Sequence, residues 1–304
     1  MATALEPQAR RSEKVALVLG AGGARGLAQI GVIDALQARG IDIVAVAGSS
    51  SGALVGGVFA AGHLAIFSEW LCSLNRNQML RLLDPGLGGN ALFRGERLMH
   101  ALRARLGEPR IEELPIDFTA VAVDLMRQRE VWLRRGDLWD AIRASFAIPG
   151  LFTPHIVHGR ELVDGGLLAP LPITATRLSD AHRLIAVDMH SWPQQPPGAP
   201  AISGNGAPHE DTGRVARWWN ARFGHDHAVT GEGTPAHMGF NELMARSLDT
   251  MQAQIARVHL ALDPPELVIR IPRDACQFYE FWRARELIAI GRTQADKALD
   301  AAGY

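Results

Sequence analysis

The chain has two cysteines, Cys72 and Cys276, and two lysines, Lys14 and Lys297. Two widely spaced thiols give neither a disulfide framework nor a zinc-binding spacing, which fits a reducing compartment. Arginine carries nearly all the positive charge. Its planar fork suits phosphate and carboxylate, but this bias reads chiefly as a coding preference. A formal net charge of −1 gives no global field favouring nucleic acid or an anionic lipid surface. Met1 to Lys14 is polar, with Arg10, Arg11, Glu13 and Lys14, and lacks the apolar stretch of a signal peptide. There is no internal repeat, and no G-K-[ST] to make a Walker loop. These absences point to a cytoplasmic protein with no nucleic-acid partner. Peripheral contact with the inner membrane face and the oligomeric state stay open.

One apolar stretch, Ile41 to Gly62, has only Asp42 as a charged residue and approaches the length of a membrane span. Gly48-Ser49-Ser50-Ser51-Gly52 interrupts it, with β-branched residues before and Ala and Gly after. The pattern fits a buried strand, a sharp turn and a buried helix better than a span. At 304 residues, 47% hydrophobic and 21% charged, the chain suits one large α/β domain or two small ones.

Strands are expected at Val15–Gly20, Ile41–Gly48 and Leu184–Met189, with helices at Arg25–Arg39 and Ser51–Ala61. That βαβα order implies a parallel sheet with helices on its faces. Helical patterns cover Ile66–Leu83 and Gly95–Leu106. Phe118–Leu125 and Arg129–Arg135 read as a hairpin. Asp137 caps a helix that ends at Ile148-Pro149-Gly150. A long segment from Ser191, rich in Pro, Gly, Asn and His, has the composition of a lid or insertion. Beyond it come a helix at Met238–Leu262, a strand at Glu266–Ile271 and a helix at Glu280–Ala302.

Two glycine-flanked turns follow the first two strands: Gly20-Ala21-Gly22-Gly23-Ala24-Arg25-Gly26, and Gly48-Ser49-Ser50-Ser51-Gly52. The second fits G-x-S-x-G, which presents the Ser50 oxygen at a strand-to-helix tip. By itself it also reads as a flexible polar loop. The first resembles a relaxed dinucleotide fingerprint, but Arg25 breaks it and no acid stands at the end of the second strand for a ribose. Successive amides at Gly22-Gly23 suit a developing oxyanion instead, with Arg25 bracing the loop. A base is harder to assign. Of eleven histidines, only His190 sits at a strand end. His225-Asp226-His227 lacks a third metal ligand. Asp164-Gly165-Gly166 ends an apolar strand, and is equally an ordinary turn.

Taken together, Gly22-Gly23-x-Arg25-Gly26, Gly48-x-Ser50-x-Gly52 and Asp164-Gly165-Gly166 resemble the patatin-like phospholipase family, most closely its small bacterial branch related to neuropathy target esterase. The likeness runs from Val15 to Met189 and takes in Arg143-Ala144-Ser145 before Ile148-Pro149-Gly150. It implies a three-layer α/β/α fold with a mostly parallel sheet, a variant of the α/β-hydrolase architecture. A tail at 1–14 would precede a single domain at 15–304, with an insertion or lid at about 191–236.

The resemblance also implies a Ser50–Asp164 dyad without a catalytic histidine and an acyl-enzyme intermediate. Gly22 and Gly23 would form the oxyanion hole, with Arg25 and Gly26 shaping it, Gly48 and Gly52 flanking the nucleophile, and Gly165 and Gly166 supporting the acid. The substrate would be a lipid or another acyl ester, with neither cofactor nor metal. The family often has Asp-Gly-Gly-Gly where this chain has Gly20-Ala21-Gly22-Gly23, leaving open what braces the loop. A non-catalytic membrane- or protein-binding adaptor on the same fold is the alternative. A nicotinamide-dependent reductase is a more distant one.

Overall fold

Each apolar run ending at a glycine-rich turn becomes a strand that delivers its turn to one end of a sheet. The computed structural model describes residues 14–85, 91–177, 179–193 and 240–304. The tail up to residue 13 and residues 194–236 of the expected insertion, with His225-Asp226-His227, lie outside the described residues. Strands β1 (Lys14–Leu19), β2 (Asp42–Ser49), β3 (Asp117–Asp124), β7 (Arg183–Ser191) and β8 (Leu267–Pro272) run parallel. Antiparallel strands β4 (Arg129–Leu133), β5 (His155–Val157) and β6 (Arg160–Asp164) complete one side. The order is β5-β6-β3-β2-β1-β7-β8, with β4 also paired to β3.

The register decides where the chemistry lands. Leu19 pairs with Gly48, Ser49 with Val121, and Ala122 with Asp164. The residues that follow β1 and β2, and the last residue of β6, therefore meet at the carboxyl edge of the central strands, where open α/β sheets hold their ligands.

The sheet is covered on both faces, which is why its strands read as continuous apolar runs. On one face Val15, Leu17 and Leu19 join the main core with helices α1 (Ala28–Ala38), α2 (Ser51–Ala60) and α8 (Ala284–Ala302). Gly31 and Gly291 let α1 and α8 cross at backbone contact, since a Cβ on Gly291 would lie 1.8 Å from the Ala28 carbonyl oxygen. On the other face Val18 and Ala186 pack against Leu171, Ile173 and Ala256 of α7 (Phe240–Leu262). This gives three layers. No helix among the described residues is long and apolar enough to cross a membrane, and the Ile41–Gly62 run resolves into β2, a turn and α2.

Two expected helices differ in the structure. Ile66–Leu83 divides into α3 (Leu64–Ser73) and α4 (Arg76–Leu82), because Leu74 and Asn75 are extended and Asn75 starts α4 with a capping box to Gln78. The first helix starts at Ala28, since Gly23–Leu27 winds as a 3-10 turn whose Ala24 N–H bonds the distant Phe278 carbonyl at 2.8 Å. The hairpin, α5 (Glu96–Leu106) and the Asp137-capped α6 (Leu138–Ser145) follow the sequence reading closely.

Candidate active site

Ser50 occupies the single position between β2 and α2, with φ 56° and ψ −124°. A non-glycine residue there stores strain of about 1–3 kcal/mol that the surroundings must enforce. They do so by close approach. A Cβ on Gly48 would lie 2.4 Å from the Gly52 carbonyl oxygen, and one on Gly52 only 2.1 Å from that of Leu19. The Ser50 N–H donates to Ser145 Oγ at 2.9 Å, and the Ser145 hydroxyl donates to the Val121 carbonyl. Ser49 Oγ donates to the Ala169 carbonyl at 2.6 Å. Helix α2 starts at Ser51, so its positive end faces the Ser50 oxygen.

Asp164 ends β6, its N–H donating to the Ala147 carbonyl at 3.0 Å. Its Oδ1 accepts the Gly166 N–H at 2.6 Å, and Gly165 lies so close to β3 that a Cβ would stand 2.0 Å from the Val121 oxygen. The residue is fully buried. Burial pushes its carboxyl up to about 7, although hydrogen bonding from the Ser50 hydroxyl and the Gly166 N–H works the other way. Oδ2 has no partner at strict hydrogen-bond geometry. Ser50 and Asp164 are thus close enough to interact, in the loose alignment common to sites without substrate.

The glycine loop lies beside them. Gly26 packs on Ser51, where a Cβ would fall 2.1 Å from Ser51 Oγ. Gln29 Nε2 holds the Gly20 carbonyl at 3.0 Å. The Gly20, Ala21, Ala24 and Arg25 N–H groups bond the carbonyls of Val187, Pro170, Phe278 and Gly22. Those of Gly22 and Gly23 have no acceptor among the described residues.

Arg25 is buried. Its Nε donates to the Gly22 carbonyl at 3.4 Å, one terminal nitrogen to the Arg273 carbonyl at 2.9 Å, and the other pairs with Asp249 of α7. Burial opposes ionisation of Asp249, but the Arg25 charge holds its carboxyl below the ordinary value.

His190 does stand at the end of β7, but its ring nitrogens face Asp188 at 3.9 Å and Asp249 at 3.7 Å. Burial, reinforced by the Arg25 charge, pushes it down to about 4, so it is neutral at neutral pH. Among the described residues no histidine bonds Ser50 or Asp164.

All the singled-out residues therefore converge: Ser50 between Gly48 and Gly52, Asp164 with Gly165 and Gly166, and Gly22, Gly23, Arg25 and Gly26 alongside. Sequence reasoning missed the roles of Ser49 and Ser145 in pinning the turn, and of Asp249, Arg273 and Phe278 in pinning the loop. Ser145 had a local signal, as the residue that ends α6 just before Ile148-Pro149-Gly150. Asp249, Arg273 and Phe278 had none. An open depression lined by Gln128, Arg129, Glu130, Trp132 and Leu168 includes no member of this group.

The family model described as patatin-like phospholipase matches residues 17–177. An NTE family protein of Mycobacterium bovis is 40% identical, the match covering 98% of this chain and 94% of that protein. Lysophospholipase NTE1 of Yarrowia lipolytica is 32% identical across 59% of this chain and 13% of its own length. In the crystal structure of VipD from Legionella pneumophila the same fold recurs, with a TM-score of 0.54 and 15% identity, covering 97% of this chain and 68% of that one. Matched by the family model through all three motifs, and by a relative along almost its whole length, the chain belongs to the patatin-like phospholipase family.

Proposed function

We propose that the protein is a serine acyl hydrolase acting on lipid esters, of the phospholipase A or lysophospholipase type, with Ser50 as nucleophile and Asp164 as its base. Family membership supports lipid hydrolase activity in general. The observation that carries the finer reading is Ser50, held at a strained φ of 56°, beside a buried carboxyl raised to about 7. A carboxylate of ordinary pKa, about 3.9, is a weak base for an alcohol. Raising that value strengthens the base while leaving a large ionised fraction at neutral pH.

In the first step Asp164 takes the Ser50 proton as Oγ attacks the acyl carbonyl. The Gly22 and Gly23 N–H groups, with no acceptor of their own, suit the negative oxygen that forms. Asp164 returns the proton to the departing alcohol, leaving an acyl-serine. Water, deprotonated by Asp164, then attacks the acyl-serine. Expulsion of Ser50 Oγ, which takes that proton back from Asp164, regenerates the hydroxyl and releases the fatty acid. Peripheral contact with a membrane would suit this substrate.

The test is fatty-acid release from a panel of phospholipids and lysophospholipids, run beside labelling with a fluorophosphonate. Wild type is expected to release acid and to label, and Ser50→Ala to do neither. Undiminished hydrolysis by Ser50→Ala would overturn the assignment. Loss of activity on changing His190, with Asp164→Asn still active, would overturn the dyad.

A further inference from the structure

The Gly22 carbonyl and the Gly23 N–H belong to one planar peptide and point in opposite directions. Whatever grips the carbonyl therefore aims the amide. Arg25 grips it twice, through its backbone N–H at 3.2 Å and its Nε at 3.4 Å. The guanidinium that does this is itself buried, and a buried cation needs a partner of opposite charge to stay in place. That partner comes from outside the family-matched residues. Asp249 lies on α7, on the face that buries Ala253 and Ala256, and pairs with the terminal nitrogen of Arg25. Gln252, one turn further along the same face, approaches the other half of the site, since a Cβ on Gly166 would stand 2.8 Å from its Nε2.

We propose that Asp249 is a positioning residue for acyl transfer: by fixing the Arg25 guanidinium it holds the Gly22–Gly23 peptide, and so the Gly23 amide, in the orientation the oxyanion needs. The inference rests on the hydrolase reading above. Asp249 itself touches neither Ser50 nor Asp164 among its contacts, so it acts through the loop. Without its charge, Arg25 keeps two carbonyl acceptors but loses the anion that fixes its fork, and the Gly22–Gly23 peptide is freed to rotate.

The experiment measures kcat and KM on a soluble ester for Asp249→Asn, Asp249→Glu, Arg25→Ala, Asp249→Ala and the Arg25→Ala/Asp249→Ala double variant. Each rate is expressed per site titrated with a fluorophosphonate, so a poorly folded fraction does not count. Asp249→Asn should lose roughly 10- to 100-fold in kcat with KM within about threefold, a share of what a misplaced oxyanion donor costs. Asp249→Glu should recover most of that loss. The double variant should match Arg25→Ala within about twofold, because two residues acting through one another do not contribute independently.

A kcat per site within twofold of wild type in Asp249→Asn overturns the proposal, even if its titratable fraction and melting temperature fall. So does a double variant whose loss is the product of the two single losses. Hydrolysis persisting in Ser50→Ala would instead overturn the hydrolase reading, so the two failures are separable. If Asp249→Asn yields no folded protein, Asp249→Ala and Arg25→Lys carry the same comparison, each expected to lose kcat per site.

Discussion

The two turns that make up the site are held in different ways. The Gly48–Gly52 turn is clamped by its own glycines, by Leu19 of the adjacent strand and by Ser145, all inside the family-matched residues. The Gly20–Gly26 loop has Gln29 and Pro170 inside them, but it also leans on Val187, Phe278, Arg273 and Asp249, all outside. On the proposed reading, the nucleophile is held at a strained φ, which rigid sheet backbone can impose. Amides for a transient oxyanion need only direction, and distant contacts can set that.

The largest effect belongs to the first turn. Ser50→Ala is expected to lower turnover by at least on the order of 10⁴-fold, measured as fatty-acid release. Asp164→Asn should follow at roughly 10²- to 10⁴-fold, since it removes the base while keeping the shape. Wild-type kcat should rise with pH and level off above about 7, where Asp164 is ionised. The stability sign is opposite. The folded pKa lies above the unfolded one, so Asp164 contributes fully below about pH 4, and its contribution is lost as pH rises to about 7. The loss totals about 4 kcal/mol. Denaturant titrations should therefore show Asp164→Asn gaining on wild type as pH rises from 4 to 8.

Next come two alanines that set the turns against each other. Gly52→Ala drives a Cβ into the Leu19 carbonyl at 2.1 Å, in the centre of the sheet, and should cost several kcal/mol of stability, seen as a loss of folded protein. Gly23→Ala meets the Phe278 carbonyl at 2.5 Å from φ +55° and should instead lower kcat by roughly 10²-fold while the fold survives. If both variants lose only the fold, or both only the rate, the contrast between the turns fails. The smallest effect is Ser145→Ala, which strips the Ser50 N–H of its acceptor and should cost about 1–3 kcal/mol by chemical denaturation.

The parts of the site carried by short-range pattern were legible before any coordinates. Ser50 and Asp164 sit where an apolar strand stops against glycine, a local signal that reads equally as a polar loop and an ordinary turn until the family resemblance gives each a role. The supports of the loop were not legible. Asp249 reads as one acid in an amphipathic helix, and Phe278 and Arg273 contribute only carbonyls, which any residue could supply. The same long-range contact explains the misplaced start of α1, because the Ala24 N–H goes to Phe278 rather than into a helix. His190 shows the converse. Its strand-end position was visible, but only the packing of Asp188, Asp249 and Arg25 around it shows a neutral buried ring.

Synthesis order gives this division a temporal meaning. A ribosome delivers Ser50, Leu19 and the flanking glycines early, and Ser145 and Asp164 much later. Strand β7, which pairs with β1 at the base of the glycine loop, comes later still, and Asp249, Arg273 and Phe278 follow it. On the proposed reading, a nascent chain would carry its nucleophile through most of translation with the surrounding amides unaimed. Competence to cleave a lipid would then arrive only with the segment from 249 to 278, after the rest of the sheet has had time to form.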